Sequence, residues 1–186
     1  SSHVPGNLEQ QVSWVERWAQ TLFGEKLNIN PKVFASEKRT GDRNRALAYL
    51  MKSTGFVEGS VDEVLETYFC LCALEATVLQ ASYLPMLLAN RGVAPDGTRV
   101  FSEETALQVT SIMAPCGLYN ESGAHLVQTG LPAKSGVSGL LVAVGVGEGG
   151  LAVASPRVNP KGTSLRGKIV MEHVSRALGW HFAMQG

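Results

Sequence analysis

The sequence predicts an α+β fold, an antiparallel sheet flanked by helices, and three observations carry that prediction. Apolar residues recur at helical spacing through most of the first 116 positions. Two apolar runs separated by Gly147-Glu148-Gly149-Gly150 then replace that period, and one amphipathic segment follows them. A helical block, a hairpin and a terminal helix in that order lack the regular alternation of a parallel sheet. With 186 residues, 45% apolar and 17% charged, the chain is globular, and a chain this long buries roughly 70% of the surface it exposes when unfolded.

Each element has a local reason. Asn7 is placed to cap a first helix, with Gln10 completing a capping box and Gly24 ending it; Leu8, Val12, Val15, Trp18, Ala19 and Leu22 form its apolar stripe. Asn28 to Pro31 reads as a loop. The charged stretch from Ser36 to Arg45 then leads into Ala46-Leu47-Ala48-Tyr49-Leu50-Met51, with Thr40 and Asp42 near the start of a second helix and Gly55 just past its end. Ser60 and Glu63 form a capping box for a third helix, in which Val61, Leu65, Tyr68 and Cys72 share a face, so Tyr68 is expected to point inward or into a cleft. Thr77 with Gln80 opens a helix that must tolerate Pro85 and closes at Asn90-Arg91-Gly92. Ser102 opens another towards Met113, with Val109, Ile112 and Met113 as the expected buried side.

The run Leu140-Leu141-Val142-Ala143-Val144-Gly145-Val146 and its partner Leu151-Ala152-Val153-Ala154 predict a β-hairpin. Both strands are apolar on both faces, which requires helices on both sides of the sheet. A last helix from Ser164 to Leu178 is expected to bury Leu165, Ile169, Val170, Val174 and Leu178, and Trp180 to Met184 is expected to add an edge strand.

Charge narrows the function classes. Sixteen Lys and Arg balance sixteen Asp and Glu, which argues against a broad grip on nucleic acid, because that binding scales with the phosphates neutralised. Residues 1–104 hold 13 acids and 10 bases, and residues 105–186 hold 3 and 6, an imbalance typical of a solvated surface. No apolar run approaches the roughly 18 residues of a membrane span, and the opening Ser1-Ser2-His3-Val4-Pro5-Gly6 has the character of neither a signal nor a transit peptide. Cys70, Cys72 and Cys116, an odd number in apolar surroundings, predict buried thiols in a reducing compartment, and hence a cytoplasmic protein. Neither the cysteines nor His3, His125, His173 and His181 show metal-ligand spacing, so no metal or cofactor is expected and the histidines are assigned to packing or surface.

Four stretches carry candidate chemistry. In Gly130-Leu131-Pro132-Ala133-Lys134-Ser135-Gly136-Val137, an ammonium and a hydroxyl stand beside a backbone that Gly136 leaves open, and the following amide can point at a developing oxyanion; the plainer reading is a turn with an incidental lysine. Glu37 and Asn44 converge if Glu37 sits in a loop folding back over the helix start, and a carboxylate with an amide suits a zwitterionic amino acid; capping and surface pairing are the alternative. The third and fourth stretches, around Tyr68 and around Cys116-Gly117-Leu118-Tyr119, each offer a hydroxyl for proton relay or simply for the core.

Taken in order, Ser36-Glu37 with Arg43-Asn44-Arg45-Ala46, Tyr68 with Cys72, Cys116-Gly117-Leu118-Tyr119 with Ser122-Gly123, and the Lys134-Ser135-Gly136-Val137 element resemble the glutaminase family from about Val33 to the end of the chain. These are the serine-dependent amidohydrolases with the fold of serine β-lactamases and penicillin-binding proteins. The resemblance implies hydrolysis of L-glutamine to L-glutamate and ammonia through a serine acyl-enzyme. It implies that Glu37, Asn44 and Tyr68 hold the substrate, that Tyr119 lies against nucleophile and substrate, and that the Val137 amide forms part of the oxyanion hole. Lys134 and Ser135 would be the analogue of the Lys-Thr-Gly element of the β-lactamase relatives. The family also implies glutamine and glutamate as ligands and a homo-oligomer as the assembly.

The sequence departs from the family at one point: no serine is followed three positions later by lysine, and the nearest approach is Ser36 with Arg39. Arginine does not give up its proton at useful pH and cannot serve as the base. The expectation is therefore a single domain over residues 1–186 that is the later part of a longer one, inactive by itself. The alternative is a truncated, inactive relative that binds glutamine, glutamate or a partner subunit. A penicillin-interacting enzyme would need the same missing motif and a larger acyl pocket. Ala73 follows Cys72 where some relatives have serine.

Overall fold

The computed structural model describes residues 7–184, apart from the Leu8 side chain. His3, the rest of the first six residues and the Leu8 position of the expected stripe therefore lie outside what is described. The chain divides into two compact units, residues 1–76 and 77–186.

The first unit is helical. Asn7 accepts from the Gln10 amide and starts α1 (Leu8–Phe23), which Gly24 ends in the left-handed conformation (φ 77°). Gln11, Val15 and Ala19 are its buried residues among those described, whereas Trp18 is nearly half exposed. The expected loop over residues 28–31 is instead a short strand β1 (Asn28–Ile29), paired antiparallel with β2 (Leu74–Glu75), followed at once by α2 (Pro31–Thr40). Pro31 is a helix starter here: Asn30 caps the Lys32 and Val33 amides at 2.9 and 3.1 Å, and a proline at the first helical position loses no bond. The charged run thus belongs to two helices, α2 and α3 (Asp42–Ser53), with a break at Gly41. A Cβ on Gly41 would come within 2.6 Å of the Phe69 ring, so the junction rests on that ring because the residue is glycine.

Phe69 belongs to α4 (Val61–Cys72), capped by Ser60 at the Glu63 amide. Val61, Leu65 and Phe69 form the core of this unit with Ala48. They follow an i, i+4, i+8 row that leaves Tyr68 to one side, 45% exposed, so the inward placement expected for Tyr68 is corrected.

The second unit holds the sheet. Thr77 and Gln80 close a reciprocal capping box, 3.2 and 2.7 Å, at the start of α5 (Val78–Ala89), which contains Pro85. Then come α6 (Glu103–Cys116), a 3-10 turn (Tyr119–Glu121), α7 (Ser122–Thr129), and the strands β3 (Ala133–Ser135), β4 (Leu140–Gly145) and β5 (Gly149–Ala154), antiparallel in the order β3-β4-β5. Helix α8 (Leu165–Leu178) follows.

The sheet is covered on both faces, as its apolar strands require. Val144 and Gly150 are paired and face α5: a Cβ on Gly150 would lie 2.5 Å from the Ser82 carbonyl oxygen. Gly145 and Gly149 are paired on the opposite face, under the Trp180 ring. The odd-numbered β4 residues Leu141 and Ala143 join Leu118, Leu131, Ala133 and Met171 of α8 in the second unit's main core.

Three expectations for this unit are corrected. The α8 residues that are buried are Gly167, Met171 and Ser175, while Leu165, Ile169, Val170 and Leu178 are 55, 68, 43 and 56% exposed and Val174 is intermediate. Small residues let the helix approach the sheet closely, and Ser175 Oγ donates to the Thr129 carbonyl at 2.5 Å. In α6 the buried residue is Ala106, with Val109 and Ile112 exposed. The expected edge strand at Trp180 to Met184 is a 3-10 turn (Phe182–Met184), because Gly179 (φ 68°) turns the chain so that Trp180 seats on Gly145. Among the described residues, no helix is long and apolar enough to cross a membrane.

Candidate active site

In the first unit, Glu37 lies in α2, Asn44 in the first turn of α3 and Tyr68 in α4, and both α2 and α3 pack on α4. Glu37 is thus held by a helix and not by the loop expected for it. The break at Gly41 is clamped by Arg45, which donates to the Lys38 carbonyl at 2.5 Å, lies 3.4 Å from Asp42 and stands over the Phe69 ring at 5.9 Å. Lys38 in turn pairs with Glu66 of α4. Tyr68 is hydrogen-bonded to Cys72 one turn later. Partial desolvation, although the residue is exposed, and the negative charge of Glu37 push the Cys72 thiol above its ordinary value of 9.0, against the lowering effect of that bond. Glu37 and Tyr68 therefore act on one neighbourhood around Cys72. All three cysteines are free thiols, but only Cys70 is buried; Cys72 and Cys116 are exposed, since the α4 and α6 faces that carry them turn away from the cores, which corrects the expectation of three buried thiols.

In the second unit the other four candidates come together. Gly117, at the end of α6, lies directly against β3: a Cβ there would overlap the Ala133 carbonyl, and the Ser135 amide donates to the Gly117 carbonyl at 3.2 Å. Two residues on, Tyr119 adopts a left-handed backbone (φ 53°), which L residues enter at a cost, and its ring lies 5.1 Å from the Lys134 ammonium. Lys134 Nζ also donates to the Ser135 carbonyl at 2.6 Å, so the cation is held over the phenol ring. Ser135 itself is buried, with its hydroxyl 3.5 Å from the Gly117 carbonyl. Beyond it a turn is closed by the Gly136 amide on Leu140 (2.8 Å) and the Gly139 amide on Gly136 (3.0 Å), and Val137, 83% exposed, keeps its N–H outside both bonds.

A buried polar network adjoins the Tyr119 turn, and sequence reasoning missed it. Glu121 accepts from Asn159 Nδ2 at 2.9 Å and from Lys168 Nζ at 3.2 Å, with the two ion-pair side chains only 12 and 21% exposed. Burial would raise the Glu121 carboxyl, but the hydrogen bonds from Asn159 and Lys168, the nearby Thr163 hydroxyl and the Lys168 charge outweigh it and hold it at about 2. His125, one turn after Glu121, is 1% exposed with no hydrogen-bond partner on either ring nitrogen among the described residues. Burial first, and then the Lys168 charge, lower it to about 4 against the opposing charge of Glu121, so it is neutral near pH 7. The available signal was a lysine between Leu165 and Met171 on a helix that must face the sheet.

A main-chain amide at an open turn, a lysine fixed on a strand and a tyrosine beneath it, on helices that flank an antiparallel sheet, define the class: the α+β fold of the serine β-lactamase type. The sequence profile of the glutaminase family matches residues 2–182, and the chain belongs to that family. The glutaminase of Legionella pneumophila strain Corby is 56% identical over 184 residues, covering 98% of this chain and 59% of the relative. The glutaminase of Clostridium tetani is 39% identical over 182 residues, covering 95 and 59%. The structure of the probable glutaminase from Bacillus subtilis complexed with 6-diazo-5-oxo-L-norleucine is similar at a TM-score of 0.88 and 32% identity, covering 96% of this chain and 61% of that one. The chain thus spans about three fifths of the length of these relatives.

Proposed function

We propose that the chain is the later part of a single longer glutaminase domain, and that the intact protein hydrolyses L-glutamine to L-glutamate and ammonia through a serine acyl-enzyme. Family membership together with the Tyr119, Lys134 and Val137 arrangement carries this reading. The serine oxygen, supplied by the family's Ser-x-x-Lys segment, attacks the side-chain amide carbon, and the carbonyl oxygen becomes an oxyanion that the Val137 N–H is aimed to stabilise. The C–N bond then breaks, the nitrogen takes a proton and leaves as ammonia, and water cleaves the ester to release glutamate. Tyr119, with Lys134 against its ring and Ser135 securing the strand, lies against nucleophile and substrate. Glu37 takes the substrate ammonium, and Asn44 and Tyr68 hold the remaining polar groups. The free cysteines support a cytoplasmic protein, and the exposed apolar residues of α3 and α8 support a homo-oligomer.

The test is release of ammonia and glutamate from L-glutamine by a polypeptide that includes the Ser-x-x-Lys segment. Equimolar products are expected, and absence of glutamate overturns the proposal. The 186-residue chain alone is expected to give no turnover. The lack of any Ser-x-x-Lys in this sequence favours a second reading, an inactive relative that binds glutamine or glutamate or a partner subunit. Calorimetric binding of glutamine or glutamate by the 186-residue chain alone, without hydrolysis, would select it.

A further inference from the structure

The Tyr119 turn is short, strained and exposed, yet the candidate site needs its ring in one place. Its local bonds go through Ser122, whose hydroxyl accepts the Leu118 amide at 2.8 Å and donates to the Tyr119 carbonyl at 2.8 Å, while the Glu121 amide donates to Leu118 at 3.0 Å. These bonds close the turn on itself, and Gly117 and the buried Leu118 seat its start on β3 and the core. Glu121 anchors its other end. Its two carboxylate oxygens are each taken by a different element: Oε1 by Lys168 from α8, and Oε2 by Asn159 from the loop before α8.

The loop is itself rigidly built. Asn159 Oδ1 accepts the Lys161 and Thr163 amides at 2.9 and 3.0 Å, and the Asn159 and Thr163 main chains bond at 2.9 Å. The Asn159 side-chain N–H therefore arrives at Glu121 already oriented. The carboxylate is fixed from two directions two residues after Tyr119, and Tyr119 is one of three described non-glycine residues with positive φ.

We propose that Glu121, gripped by Lys168 and Asn159, is a positioning residue that holds the Tyr119 turn in its left-handed conformation and so sets where the tyrosine hydroxyl stands. The inference deepens the glutaminase reading and rests on it for its catalytic meaning. Its structural content is tested separately. Breaking a buried ion pair by removing one partner leaves the other charge uncompensated, whereas replacing both by apolar side chains often preserves the fold. The informative variant is therefore the double substitution E121L/K168M, with E121Q beside it as the conservative change that keeps an acceptor for Asn159.

The first readout needs no activity. In protein carrying 3-fluorotyrosine, the Tyr119 fluorine resonance, assigned by Tyr119→Phe, is expected to be a single narrow line in the parent. In E121L/K168M it is expected to shift and broaden while the melting temperature stays within a few degrees; in E121Q the change is partial. An unchanged Tyr119 line in a folded double variant overturns the proposal. If the double variant does not fold, E121Q decides by the same criterion. The second readout uses the polypeptide with the Ser-x-x-Lys segment: kcat is expected to fall at least tenfold in E121L/K168M with KM changed less than threefold. The loss should largely vanish when compared in a Tyr119→Phe background. An equal loss in both backgrounds overturns the positioning role. Failure of the parent to hydrolyse glutamine at all, with the fluorine result intact, counts against the glutaminase reading alone.

Discussion

His125 makes the second unit sensitive to acid in a defined window. The ring is 1% exposed and has no hydrogen-bond partner among the described residues, and the charged groups that act on it are Lys168 and Glu121. In the folded state it resists protonation down to about pH 4, whereas in the unfolded chain it protonates near its ordinary 6.5. Between those values the unfolded state binds the extra proton, so stability is lost as pH falls from 6.5 towards 4. At roughly 1.4 kcal/mol per pH unit, the loss amounts to about 3 kcal/mol. Glu121, held at about 2 against an ordinary 4.5, contributes stability that is lost only below 4.5, which leaves the interval from 6.5 to 4.5 to the histidine. The assay is urea unfolding of the parent and of His125→Phe at pH 7.5, 6.5, 5.5 and 4.5. The difference in unfolding free energy should move in the variant's favour by about 2 to 3 kcal/mol across that series, because other titrating groups cancel. Parallel curves for the two proteins would refute the argument.

The remaining predictions use the same kinds of measurement. Met171→Ala removes a fully buried side chain packed with Leu118, Leu131 and Leu141 and should cost about 2 to 5 kcal/mol in denaturant unfolding. Gly150→Ala brings a methyl group 2.5 Å from the Ser82 carbonyl and should cost about 1 to 3 kcal/mol, whereas Gly123→Ala in α7 meets nothing within 4 Å and should gain about 0.5 to 1 kcal/mol. In the longer polypeptide, Glu37→Gln should lower kcat/KM for glutamine by roughly ten- to a hundredfold and Tyr68→Phe or Asn44→Ala by about tenfold, with circular dichroism unchanged. Loss of folding in these three would remove the support for substrate-holding roles.

What was legible in the sequence was whatever is decided within a few residues. Asn7, Ser60, Thr77, Ser102 and Ser164 all cap the helices they were expected to cap, because a cap is a bond between neighbours. The hairpin was equally visible, since four residues rich in glycine sit between two apolar runs. Burial was less so. The α8 stripe was read from large apolar residues, but the face against the sheet is chosen by close approach, and Gly167 and Ser175 permit it. Pro31 looked like a loop until Asn30 was seen to cap the helix it starts. At the site, the motif residues stand out as short local stretches, but the grip on Glu121 spans 47 positions to Lys168 and has no local signature.

Gly117 constrains how this unit can change. Because the end of α6 touches β3 main chain to main chain, the separation between the start of the Tyr119 turn and the Lys134 strand is set by the thickness of two backbones. It behaves as a gauge that no neighbouring side-chain exchange can trim. A single added methyl group at Gly117 would force the gap open. Substitution in this unit therefore has to leave Gly117 alone, while the exposed turn that carries Val137 is open to change.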